Sequence, residues 1–146
     1  MYQRILVPLD GSPVAEAILA HALNLSQKEN AELFLLNIAV DPAAAFSFSE
    51  PGFAEEFVEN QENTSKEYLS EICANLIAKG YKVSSVIRTG PVPATILDVA
   101  AEINADIIAM STHARRGVAH LFLGSVAEKV LRTASIPVLL FRPPAE

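Results

Sequence analysis

Apolar residues along this chain switch between short unbroken runs and a spacing of three to four residues. Five segments read as strands: the apolar runs Arg4–Pro8 (RILVP), Ala31–Ala39 (AELFLLNIA), Ala105–Met110 (ADIIAM) and Ile136–Phe141 (IPVLLF), and Tyr81–Arg88, which alternates. They are short, rich in Ile, Val and Leu, and bounded by Gly, Pro or Asp. Between them, apolar residues recur at helical spacing. Val14, Ile18, Ala22 and Leu25 mark one face of a first helix. A long helix is expected over 54–79, with Tyr68/Leu69, Ile72/Cys73 and Leu76/Ile77 as its buried stripe and 59–67 in solvent. Ile96, Ala100 and Ile103 mark a third helix, and Val126, Val130 and Ala134 a fourth. The punctuation agrees. Ser12 is a good N-cap and Pro13 a good first helical residue, Gly80 is a C-terminal stop, and Gly124-Ser125 opens the last helix. Residues 40–53 make a loop longer than most connections in compact domains.

Strands apolar on both faces and alternating with amphipathic helices imply a parallel sheet covered on both sides. The expectation is an α/β fold, a single doubly wound domain over residues 1–146 with a five-stranded parallel sheet. Right-handed crossovers leave few windings, of which the strand orders 3-2-1-4-5 and 2-1-3-4-5 lead. Open sheets of this kind bind ligands beyond the carboxyl ends of their strands, where the winding reverses. In the 3-2-1-4-5 order that point lies between strands 1 and 4. The loops meeting there are Pro8-Leu9-Asp10-Gly11-Ser12 and the segment 110–125, MSTHARRGVAHLFLGS.

Composition narrows the function. With 51% apolar and 19% charged residues, the 146-residue chain is a soluble globular protein. No apolar run approaches the roughly 18 residues a membrane helix needs, and the N-terminus does not read as a signal peptide. The single cysteine, Cys73, has no intrachain disulfide partner and falls on a helical apolar stripe, which suits a core thiol and a cytoplasmic protein. A net charge of −6 argues against nucleic acid, whose binding rests on Lys and Arg neutralising phosphates. The local pair Arg115–Arg116 suits a small anionic ligand instead.

The opening of the last helix can serve such an anion. A helix N-terminus offers unpaired N–H groups and about half a positive charge, and Gly124 allows close approach to the backbone. A rival reading exists at the same place. Ser125-Val126-Ala127-Glu128 has the form of a capping box, in which Glu128 reaches back to the Ser125 backbone. Asp10 likewise reads either as a ligand contact or as a helix-start carboxylate. His113 can donate to a phosphate or pack on its neighbours; His21 and His120 have no evident partner, and the three histidines form no metal set. Phe46, Phe48 and Phe53 can form a lid, a partner surface or plain packing.

Taken together, LVPLDGS, GPVPATILDVA, the STHARRG-to-LGSVAEKVL segment and the final IPVLLF resemble the universal stress protein family over nearly the whole chain. The resemblance implies the 3-2-1-4-5 order, ATP at the strand 1/strand 4 switch point in nucleotide-binding members, and a homodimer through the last strand. ATP-binding members carry G-x2-G-x9-G-[ST] after strand 4; its positions here are Ser111, Ala114, Gly124 and Ser125, so the spacing is kept while two glycines are replaced. By the same resemblance Asp10 contacts the ribose, Ile38 meets adenine through its backbone, and Pro8, Leu9 and Met110 line the base and sugar pocket. Gly124, Ser125 and Val126 present N–H groups or a hydroxyl to the phosphates, with His113, Arg115 and Arg116 beside them and Gly117 giving the loop freedom. The implied ligand is ATP, or AMP or ADP, with or without Mg²⁺.

The expected function is that of a small cytoplasmic ATP-binding regulator of stress response that is not an enzyme, since no nucleophile, base and orienting group come together. The alternative is a dimeric interaction module of the same fold that binds no nucleotide. An adenylating ATP pyrophosphatase would place S-G-G-x-D-S after strand 1, and a receiver domain would end strand 3 with Asp; neither pattern is present.

Overall fold

In the computed structural model the described residues are 1–39, 53–112 and 123–144, with 53–62 described for their backbone alone. Five strands, β1 (Arg4–Pro8), β2 (Glu32–Ala39), β3 (Val83–Thr89), β4 (Ile107–Ser111) and β5 (Val138–Phe141), form one parallel sheet in the order β3-β2-β1-β4-β5. The helices are α1 (Pro13–Glu16), α2 (Leu19–Glu29), α3 (Phe53–Ala78), α4 (Val92–Glu102) and α5 (Ser125–Thr133). Of the two strand orders left open by the sequence, this is the one with the switch between β1 and β4. β1 pairs with both of its neighbours there, Ile5 with Leu33 on one side and with Ile107 on the other.

Alternation along the strands divides the core in two. Ile5, Val7, Leu33 and Leu35 point to one face, where Ile18, Ala22, Leu69, Cys73 and Leu76 cover them. Leu6, Leu36, Ile108 and Met110 point to the other, under Ile96, Val99, Ala127 and Val130. Burial pushes the Cys73 thiol above its usual range, in keeping with a core role. Because both sheet faces are covered at its centre, β1 and β4 read as continuous apolar runs, whereas the edge strand β3 (VSSVIRT) keeps polar positions.

The first helical pattern is not one helix. Ala17 N–H bonds back to both Pro13 and Val14, and Ile18 N–H reaches Ala15 instead of Val14, so the chain tightens for one turn between α1 and α2. That turn drops Ile18 into the core with no exposed surface. The stripe on α3 is also narrower than expected: Leu69, Cys73 and Leu76 are buried, but Ile77 is 56% exposed. Ser65, in the stretch expected to be in solvent, is buried.

Three helix-to-strand junctions share one device. Asn30, Gly80 and Asn104 each take positive φ just past a helix, at 54°, 95° and 55°. The next residue's N–H then bonds back five positions, Ala31 to Ser26, Tyr81 to Leu76 and Ala105 to Ala100. This Schellman arrangement satisfies carbonyls that the helix end leaves unpaired, and it turns the chain directly into β2, β3 and β4. At the same end of the sheet, Asp106 accepts hydrogen bonds from the backbone N–H groups of Gln3 (2.7 Å) and Arg4 (2.8 Å), fixing the start of β1 to the start of β4. Those two donors hold the Asp106 carboxyl below its usual range. The amino-terminal end of the sheet is thus tightly tied. The other end carries the longer connections and the cleft.

Candidate functional site

β1 ends at Pro8, and Leu9 N–H adds one more ladder bond to Leu36 O at 2.8 Å. The chain then turns away from the sheet. Asp10 Oδ1 accepts from Ser12 N–H at 2.8 Å, Gly11 sits at φ +88°, and Ser12 Oγ accepts from Ala15 N–H at 3.1 Å to cap α1. Asp10 therefore does hold the helix-start turn. A carboxylate has about four acceptor sites, so the Ser12 bond does not by itself exclude a ligand contact. Glycine suits position 11 because positive φ strains any side chain there. Nearby, burial, and next the Glu16 carboxylate, push the Tyr68 hydroxyl well above the usual phenol range.

The turn forms one wall of a cleft open to solvent. Pro8, Leu9 and Asp10 enter from β1, Ile38 from β2, Met110 and Ser111 from β4, and Val126 from α5. Seven residues expected from sequence are thus brought to one place. Ala15, Leu36, Val92 and Ile96 also line it, and sequence reasoning had not singled them out. Among the described lining residues Asp10 is the one ionisable group, and the others are mostly aliphatic. Apolar walls with a few placed polar groups are the usual make-up of a small-molecule site.

Two features of the backbone supply the polar groups. The first is at Ile38. Leu36 O bonds toward β1, while Ala39 O accepts from Gly90 N–H on the β3 side. Peptide groups alternate sides along a strand, so those of Ile38 share the parity of Leu36 and face β1. But β1 has already ended: its last paired residue, Pro8, lies opposite Leu36. Among the described residues the N–H and C=O of Ile38 have no hydrogen-bond partner. A donor and an acceptor thus stand side by side on the cleft wall.

The second is at α5. Its N-cap is Gly124, with φ −60° and ψ 154°, so Ser125 is already the first helical residue. The capping box of the rival reading is not formed. The box would need Ser125 one position earlier, and Glu128 instead pairs with Arg132 at 2.7 Å, one turn further along the helix. Gly124 N–H also differs from expectation. It donates to Thr112 Oγ1 at 2.7 Å and so is not on offer to a ligand. The amides of Ser125, Val126 and Ala127 have no partner among the described residues, as the first turn of a helix without a side-chain cap requires. Thr112, 2% exposed, is a positioning residue that the sequence did not reveal. Its N–H donates to Phe141 O and its hydroxyl receives Gly124, so it joins β4, β5 and the start of α5.

Ser111 lines the cleft with its hydroxyl donating to Ala15 O at 3.3 Å. His21, exposed on α2, stacks against Phe141 with ring centroids 4.4 Å apart. His113, Ala114, Arg115, Arg116, Gly117 and His120 lie outside the described residues, as do Phe46, Phe48 and the side chain of Phe53. Among the described residues no three His, Cys, Asp or Glu side chains gather as metal ligands, and no helix is long and apolar enough to cross a membrane.

Comparison with known proteins agrees with this architecture. The universal stress protein MJ0531 of Methanocaldococcus jannaschii is 29% identical over 144 residues, covering 99% of this chain and 84% of its own. The solved structure of MJ0577, a universal stress protein from the same organism, superposes with a TM-score of 0.83 at 27% identity, covering 100% of this chain and 99% of its own. A universal stress protein crystallised in complex with cAMP shares the fold at a TM-score of 0.68 and 20% identity, with 97% of each chain covered. The family profile itself matches residues 1–142. With its β3-β2-β1-β4-β5 sheet and whole-length match, this chain belongs to the universal stress protein family.

Proposed function

We propose that the cleft between β1 and β4 binds an adenine nucleotide, ATP foremost, and that the protein is a nucleotide-responsive regulator of stress response in the cytoplasm, not a catalyst. The observation that carries the reading is the pair of unpartnered peptide groups at Ile38 on an aliphatic wall. An adenine edge presents an acceptor ring nitrogen next to an amino donor, the complement of a backbone N–H and C=O. Met110, Leu36 and Ile96 offer apolar contact to the base, and Asp10 offers a carboxylate to ribose hydroxyls. The unpaired amides at the start of α5 suit the phosphates, because N–H groups and the helix dipole both favour negative charge. That a fellow member of the family has been crystallised with cAMP is in keeping with this reading.

The regulatory part rests on chemistry. Among the described lining residues there is one carboxylate and no histidine, cysteine or lysine, which favours a regulatory reading over a catalytic one. Nucleotide bound there would alter the protein's surface and its partners without being turned over efficiently. Equilibrium binding of ATP, AMP and GTP to protein stripped of nucleotide tests this. Adenine nucleotides are expected to bind at least tenfold tighter than GTP; no binding of either adenine nucleotide leaves the fold to a nucleotide-free interaction module.

The same reading includes a homodimer through the last strand. Val138–Phe141 forms a sheet edge whose four apolar residues are each only half-buried. Exposed apolar edges invite pairing, and a two-fold copy of the same strand covers one without leaving another. Light scattering is expected to give the mass of a dimer at micromolar concentration. A monomer at every concentration would remove this interface.

A further inference from the structure

The free peptide groups of Ile38 need an explanation of their own. In a regular parallel ladder, the bond following Leu9 N–H to Leu36 O runs from Ile38 N–H to Leu9 O. Leu9 O is instead taken by a side chain, Asn37 Nδ2, at 2.8 Å. The amide's other end is held as well: Ser65 Oγ, on α3, donates to Asn37 Oδ1 at 2.6 Å. The orientation is fixed by chemistry, since a carbonyl can only accept, so Nδ2 must face Leu9 and Oδ1 is left for the Ser65 hydroxyl. Ser65 is 8% exposed, and a buried hydroxyl of this kind keeps its bond because breaking it leaves a polar group unsatisfied.

We infer that Asn37, anchored by Ser65, is a positioning residue that diverts the Leu9 carbonyl from the ladder and so keeps the Ile38 peptide groups open to a ligand. An apolar residue at position 37 would match the neighbouring Leu33 and Leu35, which face the same core. It would also let Leu9 O accept from Ile38 N–H and close the wall. Asn37 therefore gives up a position in the apolar core, and what its side chain makes in exchange is an unpaired donor and acceptor. As a ligand site this inference rests on the nucleotide reading above; as a statement about the ladder it does not.

The test separates the two. Amide hydrogen exchange of the unliganded protein is measured by NMR alongside AMP affinity. The double variant Asn37→Leu/Ser65→Ala removes both members of the pair, so that no buried partner is orphaned. In the native protein Ile38 N–H is expected to exchange at least tenfold faster than Leu36 N–H. In the double variant it is expected to slow at least tenfold as it pairs with Leu9 O, while AMP affinity falls at least tenfold. Ser65→Ala alone, a milder change that keeps the fold should the double variant fail to fold, is expected to move both readings the same way by about threefold. Unchanged Ile38 exchange in whichever variant folds overturns the inference, because a merely structural Asn37 would not alter that one amide. Slowed exchange with AMP affinity retained overturns its ligand half. If the native protein binds no AMP, the nucleotide reading falls, and exchange alone decides the role of Asn37.

Discussion

Replacing Asp10 with Ala is expected to lower the affinity for ATP and for AMP by the same factor, between roughly 10- and 150-fold. The reason for equality is position. Asp10 sits on the β1 side of the cleft, at the turn before α1, whereas the unpaired amides of α5 lie on the β4 side. A ribose contact is common to both nucleotides, whereas a contact to the outer phosphates is made by ATP alone. The size follows from losing a hydrogen bond to a charged acceptor, about 1.5–3 kcal/mol. The substitution also removes the acceptor for Ser12 N–H, so thermal stability must be measured beside binding. That loss is expected to be near the ~1 kcal/mol typical of a missing helix cap. Asp10→Asn keeps an acceptor for Ser12 and separates the effects: stability recovers, and affinity recovers only in part because the charge is gone. Unchanged affinity in a folded Asp10→Ala protein would return Asp10 to the helix-start role alone.

Ile108→Ala is expected to have the largest effect on stability, about 2–5 kcal/mol in chemical denaturation with an unchanged m-value. Ile108 has no exposed surface and pairs with Leu6 on one side and Val138 on the other. Its side chain is shared by Leu6, Ile96, Val99 and Val130, so truncation opens a void between the sheet and the α4–α5 layer. Neighbours held in two strands and two helices have little freedom to collapse into it. Ile77→Ala is the control. At 56% exposed it should change stability by no more than about 0.5 kcal/mol, although the sequence places Ile77 on a buried helical stripe as it places Ile108 in an apolar strand. A loss below about 1 kcal/mol for Ile108 would show that this half of the core repacks freely.

The contrast between Ile108 and Ile77 also marks where sequence reading works. Runs such as ADIIAM are legible because a strand buried on both faces leaves no polar position to interrupt them, and the switch-point rule then locates the cleft. A long helix is harder. Its stripe is limited by what it packs on, and the sheet face under α3 takes Leu69, Cys73 and Leu76 but leaves Ile77 out. The cleft lining was legible where a residue lies at or next to the carboxyl end of a strand, as Pro8, Ile38 and Met110 do. It was not legible where the deciding bond joins distant positions. Asn37 meets Ser65 and Leu9, each 28 residues away, and Thr112 meets Gly124 across the loop. The start of α5 illustrates a finer limit. Moving the cap by one residue, from Ser125 to Gly124, turns a self-satisfied helix end into one with three amides open.

The three Schellman junctions at Asn30, Gly80 and Asn104 bear on how a chain like this can change over time. Each leads from helix into strand through a turn whose register is set by a single left-handed residue, so an inserted or deleted residue there would shift a whole strand and reverse its two faces. Positions 30, 80 and 104 are therefore the places where the frame is least open to editing. Grafted loops and fused peptides belong away from these three junctions, where the strands beneath keep their register.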